Sequence, residues 1–193
     1  MRERRVGGIV RFMETQGELL FDDAAIGAMV KEMASSIAND FPNRRNERII
    51  LIGIQTNGVP LARCLANEIG KNTKHATEVG TLDISMYRDD IGKRLNLGKV
   101  HPTEITFDID DATVILVDDV LHTGRTIRAA LDAITDYGRP ASIKLAVLVD
   151  RGGYEFPIRA DYAGVSIDAG NDDFVLVSWN DGKASVRLAK AKS

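Results

Sequence analysis

An α/β fold, with a central and mostly parallel sheet flanked by helices, is the class this chain predicts, and three observations carry it. Apolar runs with the character of buried strands recur at residues 49–54, 114–117 and 143–149. Helical patterns with one apolar face alternate with them, through Ile26 to Ile37, Leu61 to Ile69 and Ile127 to Tyr137. Polar turns bearing glycine follow the strand ends, at Gln55-Thr56-Asn57-Gly58, in the stretch Asp118 to Thr126, and at Asp150-Arg151-Gly152. Strand and helix in alternation argue for parallel strands joined by crossover helices on both faces. Polar residues beyond strand C-termini are where open α/β sheets bind ligands.

The elements follow in order. Residues 1–20 show no sustained period; Arg2, Arg4, Arg5 and Arg11 make the start basic and Gly7-Gly8 loosens it, so a flexible arm is expected. Asp22 or Asp23 then caps a helix whose apolar face is Ile26, Met29, Val30, Met33 and Ile37. Arg44, Arg45 and Arg48 lead into IILIGI at 49–54, whose unbroken apolar character fits a central strand. After Asn57-Gly58 a helix runs through Leu61, Leu65 and Ile69, with Pro60 suited to its first turn and Gly70 to its end. Residues 77–87 place Leu82, Ile84 and Met86 on one face of a half-buried strand. A polar stretch from Tyr87-Arg88-Asp89-Asp90 to Pro102 follows, and loops of that length in compact domains are usually functional or disordered.

Past residue 126, Ile127, Leu131, Ile134 and Tyr137 share a helical face that Gly138 ends, with Pro140 just beyond. The strand at 143–149 runs into Asp150-Arg151-Gly152. In the tail, residues 174–179 and 184–188 flank Asn180-Asp181-Gly182, a hairpin signal. Residues 150–193 therefore read as a small hood over the site, within a single domain spanning 1–193.

Composition bounds the function. The 193 residues suit one well-buried domain, and 44% hydrophobic with 27% charged residues is ordinary for a soluble globule. A net charge of −3 weighs against nucleic-acid affinity over the whole surface and leaves a local basic patch open. The single cysteine, Cys64, forms no internal disulfide, which suits a reducing cytoplasm; its place in a helical pattern makes it core filler. No apolar run reaches membrane-spanning length, and MRERRVGGIVRF lacks the apolar core and cleavage site of a signal peptide. A cytoplasmic address is expected.

The stretch richest in chemistry is VILVDDVLHTGRT, residues 114–126. An apolar strand is followed by Asp118 and Asp119, then by Thr123, Gly124, Arg125 and Thr126 opening a helix. Backbone N–H groups at a helix start, two hydroxyls and the positive end of the helix dipole suit an anion. Adjacent carboxylates instead accept hydrogen bonds from hydroxyl groups. A sugar phosphate presents both, a diol to the acids and a phosphate to the cup. The competing readings are a core strand with a solvated turn and a Walker-type NTPase; the second needs G-x-x-x-x-G-K-[ST], which the chain lacks.

This segment resembles the phosphoribosyl-pyrophosphate (PRPP) motif of type I phosphoribosyltransferases, and DDV-L-x-TGRT is similar to the form in PyrR-like members, pyrimidine-operon attenuators that are also uracil phosphoribosyltransferases. The resemblance implies the type I phosphoribosyltransferase fold and the conversion of uracil and PRPP to UMP and pyrophosphate, with Mg²⁺ carried mainly by PRPP. It implies that Asp118 and Asp119 hold the ribose hydroxyls, and the metal indirectly, while Leu121, Thr123, Gly124, Arg125 and Thr126 hold the 5′-phosphate. Thr56, Asn57 and Gly58 fall on the pyrophosphate loop. Arg88, with Lys93 and Arg94 behind it, falls on the loop that closes over PRPP in this family. Asp150, Arg151, Gly152 and Tyr154 fall on the base loop. His122 lies between acid pair and cup, where PyrR-like proteins commonly have tyrosine and some purine-specific relatives an acid. A histidine there can exchange a proton near neutral pH, which with Asp118, Asp119 and Arg88 completes the expected catalytic set; the alternative is a loop residue facing solvent or a neighbouring subunit. The family is dimeric or higher, so a homo-oligomer is expected.

Three departures bear on function. Asn57 stands where the family's loop is usually Thr-Arg-Gly, which removes one positive charge. Gly153-Tyr154 replaces the His-Arg typical after Asp-Arg-Gly; Tyr154 is suited to stack on a pyrimidine, and hypoxanthine or guanine is the alternative base. The first helix carries Gly27, Ala28, Glu32 and Ser35 where basic or histidine residues are expected of an RNA-binding member, with Lys31 alone cationic. RNA affinity leans on phosphate neutralisation, so an enzyme is favoured over a purely RNA-binding, nucleotide-sensing attenuator. An mRNA leader remains an alternative partner through Arg44, Arg45, Arg128, Arg139 and Arg159.

Overall fold

The computed structural model describes residues 17–41, 48–72, 77–87, 101–170, 173–180 and 182–190. Arg88, Lys93 and Arg94 of the expected closing loop, and Arg44 and Arg45, lie outside the described residues.

Eleven elements are named in chain order among the described residues: β1 (Glu18–Phe21), α1 (Asp23–Asp40), β2 (Ile49–Ile54), α2 (Gly58–Asn72), β3 (Glu78–Leu82), β4 (Thr113–Leu121), α3 (Arg125–Ile134), β5 (Ser142–Asp150), β6 (Tyr162–Ser166), β7 (Phe174–Asn180) and β8 (Lys183–Ala189). Five strands form a parallel sheet in the order β3-β2-β4-β5-β6, and three form a small antiparallel sheet, β1-β8-β7. From β2 the chain passes to β3 on one side and then crosses to β4 on the other, so the order reverses between β2 and β4. That is the topological switch point at which doubly wound sheets open a crevice.

Period-two alternation divides the strand side chains between two cores. Ile49, Leu51, Ile115, Val117, Ala146 and Leu148 pack with α1, α2 and the small sheet's Val177, Ala184 and Val186. Ile50, Ile52, Ile54, Val114, Leu116, Leu145 and Val147 pack with α3 through Ile127, Ala130 and Ile134. The continuous apolar runs are thus strands buried on both faces. Asp22 caps α1 as expected, its carboxylate accepting from the Ala25 N–H at 3.0 Å.

Several boundaries differ from expectation, each for a local reason. The strand expected to reach Tyr87 stops at Leu82, where its register with β2 ends at Ile54↔Leu82; Asp83 then accepts from the amides of Ser85 and His101, turning the chain and leaving Met86 70% exposed. Helix α2 continues past Gly70 to Asn72. Helix α3 ends at Ile134, so Tyr137, expected on its apolar face, lies beyond it and is exposed. Part of the expected basic arm is β1, paired antiparallel with β8. Part of the expected hood is β6, the fifth strand of the parallel sheet, paired with β5 from Ala146↔Tyr162 to Asp150↔Ser166. The hairpin around Gly182 forms as expected, closed by Asn180↔Lys183.

Candidate active site

The acid pair sits inside β4 rather than after it. Pairing of β2 with β4 stops at Gly53↔Val117, while β4 runs on against β5 through Asp118↔Val147, Val120↔Val149 and Leu121↔Asp150. β5 supplies the backbone partners that let carboxylates occupy a strand. Alternation slips along the extension, since Val120 packs with Val117 in the core on the α2 side and Leu121 with Leu116 in the core on the α3 side. Asp118 is 6% exposed and its carboxylate accepts from the Asp119 N–H at 3.0 Å; Asp119 accepts from Val120 N–H at 3.0 Å. Across the crevice, the Asn57 amide donates to the second Asp119 oxygen at 2.8 Å and to the Val177 carbonyl of β7 at 3.0 Å.

Asn57 is placed there by Gly58. A Cβ on Gly58 would stand 2.2 Å from the Val117 carbonyl oxygen, so glycine alone lets α2 begin directly against β4. Gly53 does the same one strand over, where a Cβ would meet Val59 Cα at 2.5 Å. The Gln55–Thr56 peptide between them is cis. Thr56 is exposed at the mouth of this loop.

The anion cup forms at the start of α3. Gly124 is the N-cap residue with φ +87, and no side chain caps the helix. The Arg125 N–H reaches the Thr123 hydroxyl at 3.4 Å; an uncapped helix N-terminus offers its remaining first-turn N–H groups to an anion. The Arg125 side chain turns away from the cup to an ion pair with Glu155 and lies 5.6 Å from the Phe156 ring centre. The Thr123 carbonyl accepts from Glu155 N–H at 2.9 Å and Phe156 N–H at 3.2 Å, stitching the cup to the segment after β5. Leu121 is buried beneath it.

That segment forms the third side. Gly152 and Gly153 both have φ +71, and Asp150 braces the turn by accepting from Gly152 N–H at 3.0 Å and from the Tyr154 hydroxyl at 2.7 and 2.8 Å. The Arg159 guanidinium lies 3.6 Å from the Tyr154 ring centre. Tyr154, expected to stack on a base, therefore has one ring face and its hydroxyl engaged within the protein, and bonding to Asp150 raises its hydroxyl pKa above the ordinary value. Arg151 is 8% exposed; its guanidinium donates to the Gly170 carbonyl at 2.8 Å and packs on the His122 ring, 2.7 and 2.8 Å from the two ring nitrogens. Burial first, then Arg151, pushes the His122 pKa down, with Glu155 opposing. His122 is thus part of the site wall rather than a solvent-facing loop residue.

His122, Asp150, Arg151, Gly152 and Tyr154 line a cavity of about 460 Å³. Gly153 lines it too, and Ser166, Ile167, Asp168 and Ala169, which sequence reasoning missed, complete it. Their signal is positional: Ser166 ends β6 beside Asp150, the same strand-end rule that singled out Asp150. The structure therefore brings together the acid pair, the Thr56–Gly58 loop, the turn at Thr123–Thr126 and the Asp150–Tyr154 segment.

Residues 17–179 match the family model described as phosphoribosyl transferase domain. A bifunctional protein PyrR of Alkaliphilus metalliredigens is 47% identical over 176 residues, 90% of this chain and 96% of that protein. The bifunctional protein PyrR of Bacillus subtilis is 43% identical over 168 residues, 86% and 92% of the two chains. Among solved structures, the hypoxanthine phosphoribosyltransferase of Trypanosoma cruzi superposes with a TM-score of 0.67 at 21% identity, covering 90% of this chain and 97% of that one; the likeness is one of fold.

Proposed function

The chain belongs to the PyrR branch of the phosphoribosyl transferase family, and on that premise we propose that it converts uracil and PRPP to UMP and pyrophosphate and takes part in UMP-responsive control of pyrimidine gene expression. One observation carries the reading most: β4 outruns β2, so its two carboxylates open onto the crevice a few residues before the uncapped N-terminus of α3.

In this reading Asp118 and Asp119 accept the ribose hydroxyls, and the amides and hydroxyls of Thr123 to Thr126 hold the 5′-phosphate. Thr56 and the backbone of the Thr56–Gly58 loop face the leaving pyrophosphate, and the family resemblance assigns Arg88 as its cation. Displacement at the anomeric carbon builds positive charge on the ribose as pyrophosphate departs. Two fixed carboxylates stabilise that charge and hold the sugar for attack from the base side. The base enters the cavity between the Gly152–Gly153 turn and Ser166 to Ala169, a size suited to a small ligand. His122, kept neutral, accepts or relays a proton there. Among the described residues no three His, Cys, Asp or Glu side chains gather to hold a metal by themselves; Asp118 and Asp119 suit Mg²⁺ through ribose and water, and the ion neutralises pyrophosphate charge.

The test is a PRPP-dependent assay across uracil, hypoxanthine, guanine and orotate. Uracil is expected to give the highest kcat/KM; preference for either purine would move the assignment to the purine enzymes.

A further inference from the structure

Resting on the phosphoribosyl reading, we propose that Asn57 is a positioning residue acting through Asp119 on the ribose, and not a ligand of pyrophosphate. A side-chain amide has two N–H donors. Both are spent within the protein, on Asp119 Oδ2 at 2.8 Å and on the Val177 carbonyl at 3.0 Å. The reverse amide orientation would set its oxygen against a carboxylate and a carbonyl, both acceptors, so the partners themselves fix the assignment. What Asn57 has left is a carbonyl oxygen, which repels an anion.

Asp119 gains what pyrophosphate does not. Its Oδ1 is held by Val120 N–H and its Oδ2 by Asn57, so the carboxylate plane is set from both sides before any ligand arrives. β2 no longer pairs with β4 at this level, and Asn57 fills the gap that the strand leaves. The same amide reaches β7, so the small antiparallel sheet is hydrogen-bonded through one side chain to the ribose-binding acid. Pyrophosphate charge in this loop then falls to backbone amides and Thr56.

The two roles separate with two ligands, because UMP carries a ribose and a 5′-phosphate but no pyrophosphate. UMP and Mg²⁺-pyrophosphate are titrated calorimetrically into the full wild-type chain and into Asn57→Ala. Losing a hydrogen bond that orients a charged acceptor is expected to weaken UMP about tenfold, with pyrophosphate affinity within about twofold. Asn57→Asp, of nearly the same shape, is expected to weaken UMP further by setting a second carboxylate against Asp119. In an Asp119→Asn background the effect of Asn57→Ala on UMP is expected to vanish, as coupling through one contact requires. Weaker pyrophosphate with UMP unchanged, no change in either ligand, or equal loss of both in both variants overturns the assignment. A wild-type chain that binds no UMP fails the functional reading itself and takes this inference with it.

Discussion

His122 shows how a single residue's environment narrows its chemistry. Burial and the Arg151 guanidinium favour the neutral imidazole, so at pH 7 the ring is an acceptor beside the cavity. The sign follows from linkage: the folded pKa lies below the unfolded value of 6.5, so the unfolded chain takes up the proton first. Stability from this group is complete above pH 6.5 and declines as pH falls toward the folded pKa. A proton NMR titration, with His75 and His101 assigned alongside, is expected to give His122 a midpoint below 6.5 that rises in Arg151→Gln. A midpoint at or above 6.5 in the wild type would remove the contact as its cause. Tyr154 illustrates the limit of reading residue types: its ring suits base stacking, yet the structure engages it with Asp150 and Arg159, partners four and five residues away.

At the level of elements, the site depends on the offset between β2 and β4 and on how closely α2 begins against β4. Gly58→Ala drives a Cβ into the Val117 carbonyl, where backbone faces backbone and neither side can rotate away. Destabilisation of about 2 kcal/mol or more is expected, read as a lower urea midpoint at unchanged slope; an unchanged midpoint would contradict the packing described. The helices and central strands were legible because apolar periodicity is local. The length of β4 was not: two adjacent acids look like a strand's end, and only β5, reaching Leu121↔Asp150, shows that the backbone pairing continues beneath them. β1 was hidden for the same reason, since its partner β8 lies at the other end of the chain. The turn at Thr123 to Thr126 and the helix start after it were legible because consecutive residues make them. The Asn57–Asp119 contact, 62 positions apart, had no such signature.

Across the whole molecule, the parallel sheet carries the acid pair and the small antiparallel sheet shares its core while touching the candidate site through Asn57. No helix among the described residues is long and apolar enough to cross a membrane. Among the described residues, Arg128 pairs with Asp132, Arg159 covers Tyr154, and the exposed positions 27, 28, 32 and 35 of α1 hold Gly, Ala, Glu and Ser. Through these described residues a pyrimidine leader transcript is expected to be held at few phosphates. In gel shifts with and without UMP, log K against log salt should be no steeper than about −3; a slope near −6 would reveal a basic surface beyond the one described. The central claim is that the acid pair of β4 holds the ribose of the reacting sugar, and Asp119→Asn tests it most directly. The substitution keeps shape and removes an acceptor charge, so PRPP-dependent UMP synthesis should fall by about a hundredfold or more with the thermal midpoint within a few degrees of wild type. Near-normal UMP synthesis by that variant would contradict the account.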